Sequence, residues 1–325
     1  MANDLFALAG GKVLVIGVGA AGCRIAGAGA LDDAVDEPPR RVAWCAAHSN
    51  AAELLATGLD QKLQFDIAAG PFAARSAARS VAARDAQVAR VCAGRSVALL
   101  AAAWGDEAVG TIVPPLARAL RRRLCVCILA SRPQSSGTSR WELDEAGAEQ
   151  LASAADLAVC LQSLGPPAAA LDVAVAARRA ADEQKLLAAT RALARVFSAG
   201  ADGGFTPEAL RGGLSGAGVL RACLGAASGP HAAARAAEAA VAQLDGKCRE
   251  PGGLSGAAAA VLAGHELSVG ETQDVLSRLR ACQARCEPLV GSAADSSLSD
   301  DAVCLLLLRP AGSPNIVPLE TARAP

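Results

Sequence analysis

The stretch VLVIGVGAAGCR, residues 13–24, sets Gly17, Gly19 and Gly22 in the spacing G-x-G-x-x-G where a β-branched run ends. Glycines so spaced let backbone N–H groups approach an anion at a helix N-terminus, where the helix dipole favours negative charge. The chemistry on offer is phosphate binding, and the rest of the chain decides which nucleotide, if any, it serves. A dinucleotide site wants an acid at the end of the second strand to hold the ribose hydroxyls. That strand reads RVAWCAAHSN and ends in His48, Ser49 and Asn50, while Asp32, Asp33, Asp36 and Glu37 fall before it, in what reads as the preceding loop. NAD, and with it an oxidoreductase, rests on the opening fingerprint alone.

Metal chemistry finds no ligand set. The 11 cysteines are scattered without a CxxC pair: Cys125 and Cys127 alternate on a strand, and Cys282 and Cys286 stand one helical turn apart. The three histidines, His48, His231 and His265, are far apart in sequence. No metal site is expected, and the thiols read as buried and free in a reducing cytoplasm. With 31 basic and 32 acidic residues the net charge is −1, which gives no footprint for nucleic acid or an anionic membrane. Arg121, Arg122 and Arg123 read as the solvated C-terminal end of a helix, where cations suit the dipole. The opening MANDLFALAGGK lacks a basic region before an apolar stretch, and charges break the alanine-rich segments too often to span a bilayer. The expectation is a cytoplasmic protein with no nucleic-acid partner and no direct membrane insertion.

A hydrophobic content of 52% over 325 residues is ample for a sizeable core. KVLVIGV, RVAWCAA, SVALLAAA, LCVCILA and ADLAVCLQ read as buried strands separated by helical periodicity, the mark of βαβ units on a mostly parallel sheet. From Pro166 to about Ala199 few breakers occur, and the segment reads as one long helix with an apolar stripe wide enough to pack on two sides. The break SAGADGG follows, then TPEAL, with Thr206 as N-cap and Pro207 in the first turn. AAAAVLAG, EPLVGSAA and DAVCLLLL read as further strands, and HAAARAAEAAVAQL and SVGETQDVLSRLRACQ as helices. The proline-rich tail reads as loose.

Six stretches, in order from about Lys12 to Leu308, resemble the FtsZ family, bacterial relatives of tubulin. GVGAAGCR resembles the first glycine loop GVGGGGNN, and AHSNAAELL resembles NTDAQAL. SRPQSSGTSR at Ser131–Arg140 resembles TRPFSFEGRRR, and ARRAADEQKLL from Ala177 resembles the start of the central helix. LSGAGVLRACLGAASG (Leu214–Gly229) resembles MSNAGSALMGIGEASG, and VLAGHELSVGETQDVLSRL resembles the strand, turn and helix that follow. The resemblance implies a tubulin/FtsZ-like α/β fold: a Rossmann-like GTPase-type domain over residues 1–165, a long central helix over 166–199, a smaller α/β C-terminal domain over 200–310 and a flexible tail over 311–325.

It also implies where GTP or GDP would sit. Gly19, Ala20, Ala21 and Gly22 fall on the first loop, where two alanines replace glycines and Cys23 and Arg24 replace two asparagines. Gly105 to Thr111, with Gly110 between, falls on the signature loop GGGTGTG. There Asp106 and Glu107 would meet a triphosphate with like charge, and their side chains obstruct close backbone approach. Toward the sugar, Ser136 replaces the family glutamate and Arg140 is retained. On the central helix Arg178 replaces the stacking aromatic. Asp182 has two readings, the acid that contacts guanine or a solvated acid beside Arg178 and Arg179.

Family catalysis uses acids of the loop N-x-D-x-x-D, reaching the next subunit's nucleotide. Here the stretch is GGFTPEA, residues 203–209, with no paired aspartates and Asp202 just upstream. Glu208 is the remaining candidate catalytic acid, although the first helical turn also gives it the role of complementing the dipole. The implied function is an FtsZ/tubulin-like cytoskeletal protein with degraded GTP-binding and hydrolysis motifs. It would assemble head to tail with itself or associate with another FtsZ-like filament. The alternative is an active, GTP-hydrolysing homologue in cell division, with Arg24 or Arg140 offsetting charge. The usual partner-binding peptide is not found in the tail.

Overall fold

The computed structural model describes residues 13–34, 42–68, 70–103, 107–132, 149–162, 172–199, 203–214, 219–244, 254–280 and 287–310. The chain opens β1 (Val13–Val18), α1 (Gly19–Ala34), β2 (Val42–His48), α2 (Ala51–Ala56) and β3 (Lys62–Gln64). It continues α3 (Ala73–Ala83), α4 (Asp85–Cys92), β4 (Val97–Ala103), α5 (Glu107–Thr111), α6 (Val113–Arg121), β5 (Cys125–Arg132) and β6 (Leu157–Gln162). After the long α7 (Asp172–Ala199) come α8 (Pro207–Leu214), β7 (Val219–Ser228), α9 (Ala232–Val241), β8 (Leu254–Ala263), α10 (Val269–Leu279), β9 (Leu289–Ala294) and β10 (Asp301–Pro310).

The strands form one ten-stranded sheet in the order β3-β2-β1-β4-β5-β6-β7-β10-β8-β9. Pairing is parallel from β3 through β7 and between β8 and β9; β10 runs antiparallel between β7 and β8. Alternation explains the unbroken apolar runs. Val13 and Val15 of β1 enter one core with α1 and α7, whereas Leu14, Ile16 and Val18 enter a second core with α3, α4 and α6. A strand covered on both faces has no polar side to show. A third core packs α9 and α10 on β7, β8 and β10.

Two elements depart from the sequence reading. VLRACLGAAS, which carried no strand expectation, is β7, and a three-residue edge strand, β3, pairs with β2. Small residues hid β7, and one of them is required by packing: a Cβ on Gly225 would lie 2.0 Å from the Ala236 carbonyl oxygen of α9. Asp32 and Asp33, expected in a loop, lie in the last turn of α1. Acids at a helix C-terminus oppose the dipole, so something must offset them.

The partner is α7. It packs across β1, β2, β4 and β5 and also β8, β9 and β10, and from Ala192 to Phe197 every residue is buried. Arg195 sits within that stretch, and the part-buried Arg191 lies one turn before it. Arg195, only 6% exposed, places Nη2 2.6 Å from Asp33 Oδ1 and 3.7 Å from Asp295 Oδ2. Arg191 donates from Nη1 to Asp32 Oδ2 at 2.9 Å and from Nη2 to Asp295 Oδ2 at 3.2 Å. Trp44 of β2 donates Nε1–H to Asp33 Oδ2 at 2.6 Å, and Ser297 donates to Asp295 Oδ1 at 2.7 Å. The network joins the end of α1 to the end of β9 through the central helix.

Removing Arg195 would leave Asp33 and the 1%-exposed Asp295 short of a buried counter-charge. We expect Arg195→Ala to cost about 3–5 kcal/mol in denaturant unfolding, as for other broken buried pairs. A cost below about 1 kcal/mol would show that water replaces the guanidinium.

Candidate functional site

The strand order 3-2-1-4-5-6 reverses direction between β1 and β4, and in open parallel sheets ligands bind outside the carboxyl ends at that switch point. The glycine turn stands there. Gly19 opens α1 with φ +80°, a left-handed conformation that glycine adopts without steric cost. A Cβ on Gly17 would lie 1.8 Å from the Gly22 carbonyl oxygen, and one on Gly22 would lie 2.6 Å from the Ala101 carbonyl oxygen of β4. Gly17 and Gly22 of the fingerprint therefore have a packing cause, which seats α1 on β1 and β4. Ala21 is buried in that contact and Ala20 is half-buried, and the first turn of α1 carries no acid.

At the end of β2, the polar residues are used locally. His48 Nδ1 accepts from the Asn50 amide at 2.7 Å, and Asn50 Oδ1 accepts from the Ala52 amide at 2.9 Å as the N-cap of α2. This arrangement closes a turn and presents no carboxylate to a ribose.

Arg24 of α1 forms a bidentate pair with Glu183 of α7, Nη2 to Oε1 at 2.5 Å and Nε to Oε2 at 3.0 Å. Sequence reasoning singled out Arg24 and Asp182 but missed Glu183, which directly follows Asp182. The signal was available only as one acid among several on a long helix. Asp182 is half-buried, and Arg178 lies one turn earlier on α7.

Gly110 and Thr111 lie inside α5. Gly110 is exposed, and a Cβ there would meet nothing within 4 Å. Gly105 and Asp106 lie outside the described residues, as do Ser136, Arg140 and Asp202; Glu107 begins α5.

The loop between α7 and α8 is anchored from below. Gly203 adopts φ +126° and its carbonyl accepts from the Ser292 amide at 2.8 Å, while Phe205 is buried against Gly291. Thr206 caps α8, its Oγ1 accepting from the Ala209 amide at 3.1 Å, and Glu208 falls in the first turn. The stretch that resembles the family's catalytic loop thus has a fixed backbone.

Cys45 is buried near Cys23 and Cys92, and burial pushes its thiol up to about 12; burial likewise raises Cys127. Such thiols stay protonated and unreactive at neutral pH. Among the described residues no group of three or more His, Cys, Asp or Glu side chains gathers to hold a metal, and no helix is long and apolar enough to cross a membrane.

The sequence matches no protein-family model and none of the curated proteins. The three-dimensional comparison is different. An empty FtsZ dimer from M. jannaschii superposes with TM-score 0.73 at 16% identity, covering 94% of this chain and 91% of that one. A mutant FtsZ from M. jannaschii gives TM-score 0.72 at 17% identity, covering 95% and 93%. CetZ2 from Haloferax volcanii, in a GTPγS-bound protofilament, gives TM-score 0.63 at 14% identity, covering 94% and 95%. The chain has the tubulin/FtsZ fold. Its Rossmann-like strand order, long central helix and smaller C-terminal α/β part are the elements of that fold.

Within this FtsZ-like frame the two glycine sets separate by mutation. Gly17→Ala, which drives a methyl into backbone, is expected to abolish folding as judged by circular dichroism. Gly110→Ala, in open space on a helix, is expected to raise stability by about 0.5–1 kcal/mol. A folded Gly17→Ala protein would contradict the packing account.

Proposed function

We propose that this chain is an FtsZ-like cytoskeletal protein with a remodelled nucleotide pocket. On this reading it acts by head-to-tail self-assembly or by joining another FtsZ-like filament. The observation that carries the reading is the Arg24–Glu183 pair, which ties α1, the helix opened by the glycine turn, to α7. It neutralises the single cation of α1 within the chain, leaving it no surplus charge for a phosphate. Asp106 and Glu107, on the stretch that resembles the family's signature loop, would add like charge toward a triphosphate. GTP or GDP then binds weakly or not at all, and Gly19, Ala20, Ala21, Gly22, Gly105, Gly110, Thr111, Arg140 and Asp182 are the vestiges of its site.

Self-association draws support from the solved neighbours, which include a dimer and a protofilament. Affinity at such a face depends on packing quality more than on chemistry, so assembly survives the loss of a catalytic centre. The division of labour follows the element order, with residues 1–165 as the nucleotide-type domain, 166–199 as the connecting helix and 200–310 as the second domain. A cytoplasmic cytoskeletal or division task fits this reading.

One observation favours a second reading, a GTP-binding and hydrolysing homologue. The left-handed turn at Gly19 and the acid-free first turn of α1 leave a helix N-terminus at the switch point. In that case Glu208 is the catalytic acid. NAD chemistry has less support, because His48 and Asn50 at the end of β2 are occupied in closing a turn.

Sedimentation separates the readings. We expect equal pelleting with GTP, GDP or neither, no phosphate release, and no change on Glu208→Ala. Filaments that form only with GTP, together with phosphate release that Glu208→Ala abolishes, would establish the second reading instead.

A further inference from the structure

A net charge of −1 conceals a segregation. Residues 70–123 hold nine arginines and no lysine against three acids, Asp85, Asp106 and Glu107, a balance of +6 that leaves −7 for the rest of the chain. The fold gathers these arginines on one layer. Helices α3 and α4 both pack against α6, and Val81, Val88, Leu116 and Leu120 bury a common underside against the sheet. Their outer surfaces therefore face away from the sheet together.

The exposed residues of α3 are Ala74, Arg75, Ala78, Arg79, Ala82 and Ala83, with no acid anywhere in that helix. Among the described residues, three acids beside these helices are engaged in ion pairs. Asp66 pairs with Arg84, Asp85 with Arg123, and Asp156 with Arg121. Arg75, Arg79, Arg90, Arg118 and Arg122 are exposed and have no acidic partner among the described residues. Phe72, one residue before α3, is 65% exposed.

We propose that this face docks peripherally on an anionic phospholipid surface, with the five arginines meeting lipid phosphates and Phe72 entering the headgroup layer. Guanidinium forks match phosphate oxygens bidentately, and the alanines between them let the backbone come close. At physiological salt a charge is felt over about 8 Å, so a membrane at this face senses the arginines and not the acids elsewhere. The exclusion of anionic membranes from net charge alone therefore does not extend to this face. A lipid partner fits better than a nucleic acid, because among the described residues the layer has one exposed aromatic at its edge and no row of rings on which bases could stack.

The test is flotation of the full chain with vesicles, which keeps self-assembled material out of the reading. Vesicles of phosphatidylcholine alone are compared with vesicles containing about one-third phosphatidylglycerol, and a duplex DNA is offered separately. The chain should float only with the anionic vesicles and be released at about 0.5 M salt. Each arginine near an anionic surface contributes about fivefold, so the double variant Arg75→Glu/Arg79→Glu should weaken binding by more than tenfold. Arg118→Glu/Arg122→Glu, on the other helix, should do the same, and Phe72→Ser should lower retention severalfold. The proposal is overturned if the folded wild-type chain ignores anionic vesicles or if both charge-reversed variants float like wild type. Tighter binding to the DNA than to the vesicles overturns it equally.

Discussion

The whole architecture turns on α7, and α7 is held by two arginines, the buried Arg195 and the part-buried Arg191. A helix that crosses β1, β2, β4 and β5 and then β8, β9 and β10 has mostly apolar contacts, and these tolerate sliding by a turn. Arg191 and Arg195 remove that freedom. Their guanidinium groups must meet Asp32 and Asp33 at the end of α1 and Asp295 after β9, and one helical turn of displacement breaks every bond. Burying so many charges is costly, so net stability is a poor reason for the network. Register is the better reason, because the pairs specify one position of the helix relative to both parts of the sheet.

The candidate site depends on that register. Arg24 and Glu183 meet only if α7 lies at the right height beside α1. The glycine turn below them is fixed separately, by close contact of Gly17 with Gly22 and of Gly22 with Ala101. A fingerprint associated with phosphate binding can thus be retained for helix-to-strand packing. Its presence alone says nothing of a ligand.

Much of the fold was legible because burial on both faces writes long apolar runs. KVLVIGV, SVALLAAA and LCVCILA admit little but interior strands, and the breaker-free segment ending at Ala199 admits little but a long helix. β7 was not legible: Ala222, Gly225, Ala226 and Ala227 erase the alternation that marks a strand, since small residues are needed where α9 approaches. Asp32 and Asp33 read as loop residues because acids at a helix C-terminus are unfavourable in isolation, and their compensation lies some 160 positions away, beyond the reach of local rules. The site was legible in part. Gly19 was visible by spacing and Arg24 through the family resemblance, but Glu183 became meaningful only once the fold set it against Arg24.

The proposed function rests on a glycine turn that packing alone can maintain, beside a remodelled nucleotide pocket. Titration calorimetry of the purified chain with GTP, GDP and NAD tests this most directly. The account predicts no saturable binding of any of the three below millimolar concentration in a protein that is fully folded without them. Saturable micromolar binding of GTP, strengthened when Arg24→Ala opens the pair with Glu183, would keep the pair as a latch but restore a working nucleotide site. Micromolar binding in the unaltered chain, by itself, would contradict the claim.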